Sequence, residues 1–362
     1  MNPAPEIRFA VPSSFLLSGE YFVTEPNEPG LAIAAAPTAD IRIEPGKGLT
    51  CRTVFAGTER PAADLHEIAA AGSAAAKSHP LVHAVCAVWE EEIGPIEAIS
   101  AAGGAQILID TAGFFSPDGS KRGFGSSAAA CAGLCAALAW LDPGASRITR
   151  PQLAQIAVQA HRRFQHGRGS GYDVMTAVMG GTGFFYGGEK PGWRPAPQIA
   201  RILPPLWLLN SSSPVSSSRS ILGYSGFRRT APDACRAYRE RNRNIHSALM
   251  SIGADQLPAG REHLLKLLNE SRELGLSLGE SIGVPASPSG SLLHRLSPPP
   301  LPGERIIKAV GAGNETLIAF GWKETPHPDA IPLKIYSQPV PMPGLTSPHG
   351  KPYRTRNSGA IS

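Results

Sequence analysis

Two glycines stand directly before the longest nearly apolar run of the chain, and two serines begin that run. The segment reads Lys121-Arg-Gly-Phe-Gly-Ser-Ser-Ala-Ala129, and the run continues, rich in alanine, from Ser126 to Leu141. A run of this length is too short to span a bilayer. We therefore expect a buried helix of a globular protein, and the glycines before it predict a tight backbone turn at its start.

The composition supports a globular chain with a sizeable core. Of 362 residues, 42% are hydrophobic and 17% are charged, which excludes a chain that is disordered throughout. The 39 glycines and 35 prolines are not periodic, which excludes a collagen. The length fits one large domain or two medium domains.

The charge balance bears on the partners of the chain. A net charge of +5 is mild for this length and fits a small anionic molecule better than a nucleic acid. The densest basic segment runs from Arg236 to Arg243 and is interrupted by Glu240, so we expect it to be a solvated helix face. No nucleic-acid or membrane partner is expected, and the chain is expected to be a monomer or a homodimer.

Five cysteines without a Cys-x-x-Cys pair argue against a disulfide framework or a zinc site. The first residues show no basic and then apolar signal region. Together these features favour a soluble, cytoplasmic protein.

Strands and helices alternate without a strict βαβ rhythm, which favours the α+β class. The pattern predicts short strands at 31–37, 40–44 and 206–210, a serine-rich loop at 211–220, and a helix at about 230–252. A boundary is expected within the segment 187–197, which is rich in glycine and proline.

The glycine turn at 121–129 has a chemical interpretation. Glycines let the backbone approach a ligand, and the helix after them presents unpaired N–H groups and the positive end of its dipole to an anion. Ser126 and Ser127 add hydroxyls for phosphate oxygens or Mg²⁺, and Lys121 adds a positive charge. The alternative is a plain helix start capped by serine.

A second glycine-rich segment reads His161-Arg-Arg-Phe-Gln-His-Gly-Arg-Gly-Ser-Gly-Tyr-Asp173. It places one carboxylate after a run of arginines and histidines. A carboxylate near cations is ionised and can accept or orient a proton. The alternative is that Asp173 caps the helix that follows.

The third glycine segment, Gly311-Ala-Gly313, follows a predicted strand and stands close to Lys308. Two glycines allow close approach of the backbone to a ligand, and the alternative is an ordinary turn.

In this order, the three segments resemble the GHMP kinase superfamily. The opening Val11-Pro-Ser-Ser-Phe-Leu-Leu-Ser-Gly-Glu-Tyr21 is similar to its first motif, 121–129 to its phosphate loop, and 311–313 to the start of its third motif. Gly-Glu-Tyr, the Lys-x-Gly-x-Gly-Ser-Ser-Ala pattern and the segment ending at Asp173 resemble the phosphomevalonate kinases most. The chain departs from the family pattern at Ser14, where lysine is usual, and at 314–316, where Gly-Gly-Asp is usual.

The resemblance implies a two-domain GHMP kinase fold, with a mixed α/β N-terminal domain, a ferredoxin-like C-terminal domain and the active site in the cleft. We expect the ATP-binding domain at 1–190, the C-terminal domain at 191–325 and a proline-rich tail at 326–362. The implied activity is ATP-dependent phosphorylation of 5-phosphomevalonate to 5-diphosphomevalonate, on the mevalonate route to isoprenoids, with ATP and Mg²⁺.

The resemblance also implies site residues. The catalytic residues would be Asp173 and Lys121. ATP would be bound by Gly123, Phe124, Gly125, Ser126, Ser127 and Ala128, and the metal by Ser126 and Ser127. The substrate would be bound by Ser18, Gly19, Glu20, Tyr21, His161, Gly169, Ser170, Gly171, Ser217, Arg219, Gly311, Ala312 and Gly313.

Two alternatives stay open at this point. One is another activity of the superfamily, such as that of a mevalonate kinase, a sugar kinase or the related diphosphate decarboxylase. The other is a catalytically silent binding protein with the same fold, which Ser14 and the altered third motif would explain.

Overall fold

The structure is a computed structural model that describes residues 6–55, 58–116, 118–210, 217–253, 258–284, 290–301, 304–310, 316–343 and 355–356. Within this part of the chain there are thirteen strands and twelve α-helices. The strands are β1 (Glu6–Ser18), β2 (Pro29–Pro45), β3 (Leu49–Phe55), β4 (Thr58–Glu59), β5 (Ala63–Asp64), β6 (Ala105–Asp110), β7 (Thr182–Tyr186), β8 (Gly192–Pro195), β9 (Leu206–Asn210), β10 (Ile306–Val310), β11 (Thr316–Phe320), β12 (Ile331–Pro332) and β13 (Thr355–Arg356). The helices are α1 (Leu65–Ala69), α2 (Ala74–Ser78), α3 (Pro80–Glu92), α4 (Ile96–Ala102), α5 (Ser126–Leu141), α6 (Arg150–Phe164), α7 (Tyr172–Met179), α8 (Pro197–Ile202), α9 (Ser217–Thr230), α10 (Pro232–Ser251), α11 (Ala259–Ser281) and α12 (Gly290–His294).

The chain divides into two compact units, and neither is continuous in sequence. The first consists of Met1–Ser13, Pro37–Gly180 and Gln338–Ser362, and the second of Ser14–Ala36 and Gly181–Ser337. Both β1 and β2 contribute residues to each unit. The sequence analysis divides the chain into continuous segments and assigns residues 14–36 to the N-terminal domain 1–190. In the structure these residues belong to the second unit.

In the first unit, the strand order is β13–β1–β2–β6–β3–β4, with β5 also paired to β3. β2 and β6 are antiparallel, and β3 and β6 are parallel. α5 packs on β6 and against α3, α6 and α7. Residues 128–139 of α5 are all buried, so the alanine-rich sequence lies in the core, as the sequence predicts.

In the second unit, the first part of β2 pairs with β7, and β7 pairs with β8, both antiparallel. A separate sheet has the order β10–β11–β9–β12, and its three pairings are antiparallel. Its core includes Leu209, Ile307, Leu317 and Trp322. α10 packs on α11, and α11 packs on β10. Sheets and helices in both units confirm the α+β class.

No helix in the described part of the chain combines the length and the apolar character that crossing a membrane requires.

Candidate functional site

The turn before α5 has the geometry that its sequence predicts. Gly123 and Gly125 have φ angles of 74° and 77°, in the region that residues with a Cβ adopt only at a cost. Gly125 is the N-cap of α5 and has no side chain to cap the amides of the first turn. The N–H groups at the start of a helix have no partner within it, so this turn can receive an anion.

Close packing fixes the position of α5. A Cβ on Gly133 would lie 2.5 Å from Cδ1 of Ile41 on β2, so the helix approaches the sheet more closely than a larger residue would allow. Phe124, in the turn itself, is also buried. The turn is therefore anchored on both sides of Gly125, while Lys121 and Gly123 are exposed.

Three predicted residues meet where α5, α6 and α7 pack together. Ser127 Oγ lies 3.1 Å from Nε2 of His161, at hydrogen-bond distance. Nδ1 of His161 lies 3.9 Å from Oδ1 of Asp173, which is beyond a hydrogen bond but close enough for electrostatic interaction. Ser127, His161 and Asp173 thus form one cluster, in which the Asp173 side chain is 23% exposed.

His161 is the buried member of this cluster. Its side chain is 1% exposed, and burial lowers the pKa of the imidazole from its usual 6.5. Asp173 opposes this shift of the pKa, and Lys121 adds to it. The ring is therefore neutral near pH 7.

The glycine turn that precedes Asp173 is held in place by α6. Gly169 and Gly171 have φ angles of 94° and 81°. A Cβ on Gly171 would lie 2.5 Å from Cγ1 of Val158. Arg162 Nη2 donates to the carbonyl oxygen of Ser170 at 2.6 Å. The turn delivers Asp173 to the first turn of α7, where Oδ1 accepts from the N–H of Val174 at 2.9 Å.

A cavity of about 280 Å³ adjoins the glycine turn at 121–127 in the first unit. Its wall includes Lys121, Ser126 and Ser127. The rest is mostly apolar and comes from β3, β6, α3, α5, α6 and the segment before the loop, with Thr53, Arg60, His79, Pro80, Leu81, Val82, Ile109, Phe115, Ala130, Leu134 and Phe164. A largely apolar wall beside a few polar groups is typical of small-molecule sites.

Ser18, Gly19, Glu20 and Tyr21 of the first motif lie in the second unit and are buried there. Gly19 and Tyr21 have φ angles of 93° and 67°. Glu20 forms a buried ion pair with Lys308 Nζ, which also donates to the carbonyl oxygen of Ala309 at 3.2 Å. The side chains of Lys308 and Glu20 are 3% and 8% exposed. The buried carboxylate therefore has a cation as its partner.

His246 of α10 completes this cluster. Its Nε2 lies 2.9 Å from Ser18 Oγ, and its Nδ1 donates to the carbonyl oxygen of Asn242 at 2.8 Å. That second bond places the proton on Nδ1, so Ser18 donates to Nε2. Burial lowers the pKa of His246 to about 4, and Lys308 adds to the shift.

Sequence reasoning missed His246 and treated Lys308 only as a neighbour of the third glycine segment. A buried carboxylate such as Glu20 requires a cation, but the burial of Glu20 follows from the fold and not from its local sequence. Gly311, Ala312 and Gly313, like the altered positions 314 and 315, lie outside the described residues. Ser217 and Arg219 begin α9, which the sequence did not predict there, and their side chains lie outside the described part.

The fit of Mg²⁺ can be judged from the donors present. Among the described residues, no group of three or more His, Cys, Asp or Glu could hold a metal ion. Mg²⁺ bound with nucleotides keeps several waters and takes much of its coordination from phosphates. The buried Ser126 and half-buried Ser127 hydroxyls fit that mode of binding.

Comparisons with known proteins agree on the fold. Residues 80–181 match the family described as "GHMP kinases N terminal domain". The chain is similar in structure to the mevalonate kinase of Methanococcus jannaschii, with a TM-score of 0.64, 13% identity and coverage of 91% of this chain and 98% of that one. No curated protein sequence matches the chain.

Two further structures extend the range of functions among similar proteins. The Streptococcus pneumoniae phosphomevalonate kinase in complex with phosphomevalonate and AMPPNP gives a TM-score of 0.60 at 14% identity, covering 88% of this chain and 93% of that one. The Lactococcus lactis galactokinase complexed with galactose gives a TM-score of 0.62 at 14% identity, covering 92% of this chain and 94% of that one. The predicted GHMP kinase fold is confirmed, and these similarities leave the acceptor open.

Proposed function

We propose that this chain, which belongs to the GHMP kinase superfamily, transfers the γ-phosphoryl group of ATP to 5-phosphomevalonate. The observation that carries the proposal is the cluster of Ser127, His161 and Asp173 at the start of α5. It combines an anion-binding helix start with a partly exposed carboxylate and a neutral, buried imidazole.

The nucleotide half of the proposal uses the first unit. The phosphates of ATP would rest on the turn 123–127 and the first amides of α5, with Lys121 supplying positive charge. The adjoining cavity has an apolar wall for the base and ribose. Mg²⁺, held by phosphates, water and the hydroxyls of Ser126 or Ser127, would neutralise charge on the transferred group.

Phosphoryl transfer depends mainly on positioning and charge neutralisation. An acceptor phosphate has a second pKa of about 6, so its attacking oxygen is already ionised near pH 7. Asp173 would then orient the cationic groups and the metal, whereas with a hydroxyl acceptor it would serve as the base.

The charges around the second glycine turn favour an acceptor that carries its own negative charge. Arg168 is exposed within this turn, and Arg162 precedes it on α6, whereas Arg163 is paired with Glu91. A neutral sugar would gain nothing from these cations, whereas a phosphorylated acid would. The choice of 5-phosphomevalonate within that class comes from the resemblance of the motifs.

The proposal is tested by incubating the protein with Mg-ATP and each of four acceptors, 5-phosphomevalonate, mevalonate, galactose and homoserine, followed by ³¹P NMR. A signal of 5-diphosphomevalonate, distinct from that of ADP, together with no product from the other three acceptors, would support it. A phosphomonoester signal from one of the other acceptors would replace it with another kinase activity. Nucleotide binding without any product would indicate a binding protein with this fold.

A further inference from the structure

One face of α10 is polar and contacts the segment 18–29, which begins within the first motif. The positions 239, 242, 243 and 246 follow the i, i+3, i+4, i+7 spacing that places side chains on one helix face. The basic run Arg236–Arg243 was expected to be a solvated face. Arg239, whose side chain is 27% exposed, departs from this expectation, whereas the Arg243 side chain is 56% exposed although it also forms an ion pair. Their guanidinium groups bind a carboxylate that the sequence pattern did not pair with them.

That carboxylate belongs to Glu28, which is fully buried. Arg239 and Arg243 both bind its Oε1, at 2.8 Å and 2.5 Å. Arg228 of α9 binds the nearby Glu25 at 2.5 Å. Two acidic residues of the segment between β1 and β2 are thereby held by arginines from two helices.

Two neutral contacts extend the same face of α10. Asn242 Nδ2 donates to the carbonyl oxygen of Pro29 at 3.0 Å, and Ser18 donates to His246 as described above. Asn242 and His246 are 1% and 0% exposed. The face therefore holds the segment 18–29 at both ends.

The segment between these contacts requires such support. Tyr21, which has a Cβ, has a φ angle of 67°, a region that residues of this kind adopt at a cost and keep only when their surroundings fix it. A Cβ on Gly19 would lie 2.6 Å from Cα of Gly30, so the two ends of the segment also touch each other. Glu20, between Gly19 and Tyr21, carries the ion pair with Lys308.

We propose that Arg239, Asn242, Arg243 and His246 are positioning residues, which hold the turn at 19–21 so that the Glu20–Lys308 pair keeps one geometry on the acceptor side of the reaction. This inference rests on the proposed function, because the resemblance assigns the turn to acceptor binding. None of the four residues needs to touch the acceptor. They act through the segment that they hold.

Arg241 provides a matched control. It is also an arginine of α10, and it is exposed. Arg239→Ala, Arg243→Ala and Arg241→Ala would be compared by steady-state kinetics, by titration with ATP and by hydrogen–deuterium exchange of peptides covering residues 15–31.

Arg239→Ala is expected to raise the acceptor KM or lower kcat by about 10- to 100-fold, since small displacements of positioning groups have effects of that size. The ATP Kd is expected to stay within about twofold, because the candidate nucleotide residues lie in the first unit. Exchange in the peptides 15–31 should increase, and Arg241→Ala should match the wild type in all three measurements. Arg239→Lys, which keeps the charge, should recover part of the loss and serves where the alanine variant does not fold.

The outcomes separate the inference from the proposed function. A wild-type protein that binds ATP but converts no acceptor would contradict the function, and the exchange data would still test whether α10 holds the segment. Arg239→Ala that matches Arg241→Ala in kinetics and exchange would overturn the inference while leaving the function intact. Equal loss of ATP affinity and acceptor turnover would show a general structural role and would also overturn it.

Discussion

The hydroxyl of Ser127 and Nε2 of His161 lie 3.1 Å apart, although 34 residues separate them in sequence. The contact joins the first turn of α5 to the last turn of α6. Because His161 is buried and its pKa is lowered, the imidazole that contacts Ser127 carries no charge near pH 7. The positive charge beside this turn therefore comes from Lys121, Arg122 and the helix dipole, and His161 contacts the Ser127 hydroxyl without adding charge.

His161→Leu is expected to weaken ATP binding by about 3- to 10-fold, because it leaves the Ser127 hydroxyl without this partner. His161→Gln, which can still hydrogen bond, should lose less. Isothermal titration with Mg-ATP measures the difference. Equal affinities for the two variants and the wild type would show that the Ser127–His161 contact does not support the loop.

Asp173→Asn is expected to lower kcat by about 100-fold or more, since a positioned carboxylate contributes on that scale. The substitution keeps the size of the side chain, so ATP binding should change little. Asp118→Asn is the matched control, because Asp118 is an exposed aspartate outside the cluster. A variant Asp173→Asn with unchanged kcat would remove Asp173 from the catalytic machinery.

Ala130→Leu tests the cavity beside the phosphate loop. Ala130 is buried and lines the cavity, so a larger side chain there would occupy space proposed for the base and ribose. We expect the ATP Kd to rise about tenfold or more, with a melting temperature equal to or above that of the wild type, because filled cavities stabilise. Unchanged ATP affinity would place the nucleoside elsewhere.

His246 should make the stability of the protein depend on pH. Its pKa is about 4 in the folded state against the usual 6.5, so the unfolded chain binds a proton that the folded chain resists. The contribution of His246 to the free energy of unfolding is therefore fully present above pH 6.5 and is lost as the pH falls from 6.5 toward 4. The contribution is about 3 kcal/mol, from the conversion of a pKa shift to free energy.

Urea denaturation between pH 7.5 and 4 measures this effect. His246→Gln should show a smaller decrease in stability over the same range, since glutamine does not titrate. The exposed His263 on α11 gives the control His263→Gln, which should follow the wild type. Parallel curves for His246→Gln and the wild type would contradict the account of the buried imidazole.

Local sequence patterns predict the elements with clear signals. The expected strand 206–210 is β9 to the residue, and the alanine-rich helix begins at Ser126 as predicted. Thr149 is the N-cap of α6, and its N–H donates a hydrogen bond to Oε1 of Gln152 at 2.9 Å, as in a capping box. Glycine turns, helix caps and apolar runs depend on neighbouring residues, which is why they can be recognised from the sequence.

Features that depend on distant residues were not predictable in the same way. The expected strands 31–37 and 40–44 are one strand, β2, whose partner changes from β7 to β6 on either side of Pro37. Proline has no backbone N–H to donate to a neighbouring strand, so it fits a position between two strand pairings. In the sequence alone, however, a proline predicts the end of a strand. Arg239 similarly looked solvated, because its partner Glu28 stands 211 residues away.

The same distinction between local patterns and contacts of distant residues applies to the candidate site. Ser127, Asp173 and the glycines of the two described turns could be proposed from local motifs, and their roles stay predictions. The contacts of Lys308 with Glu20 and of His246 with Ser18 join residues more than 200 positions apart. Such pairs follow from the fold and not from local spacing.

Acceptor-dependent ADP release tests the central proposal most directly. A coupled assay with Mg-ATP would compare 5-phosphomevalonate with mevalonate on the wild type and on Asp173→Asn. The account predicts turnover with 5-phosphomevalonate, little or none with mevalonate, and loss of turnover in the variant. Turnover with mevalonate alone, or no acceptor-dependent release despite ATP binding, would contradict it.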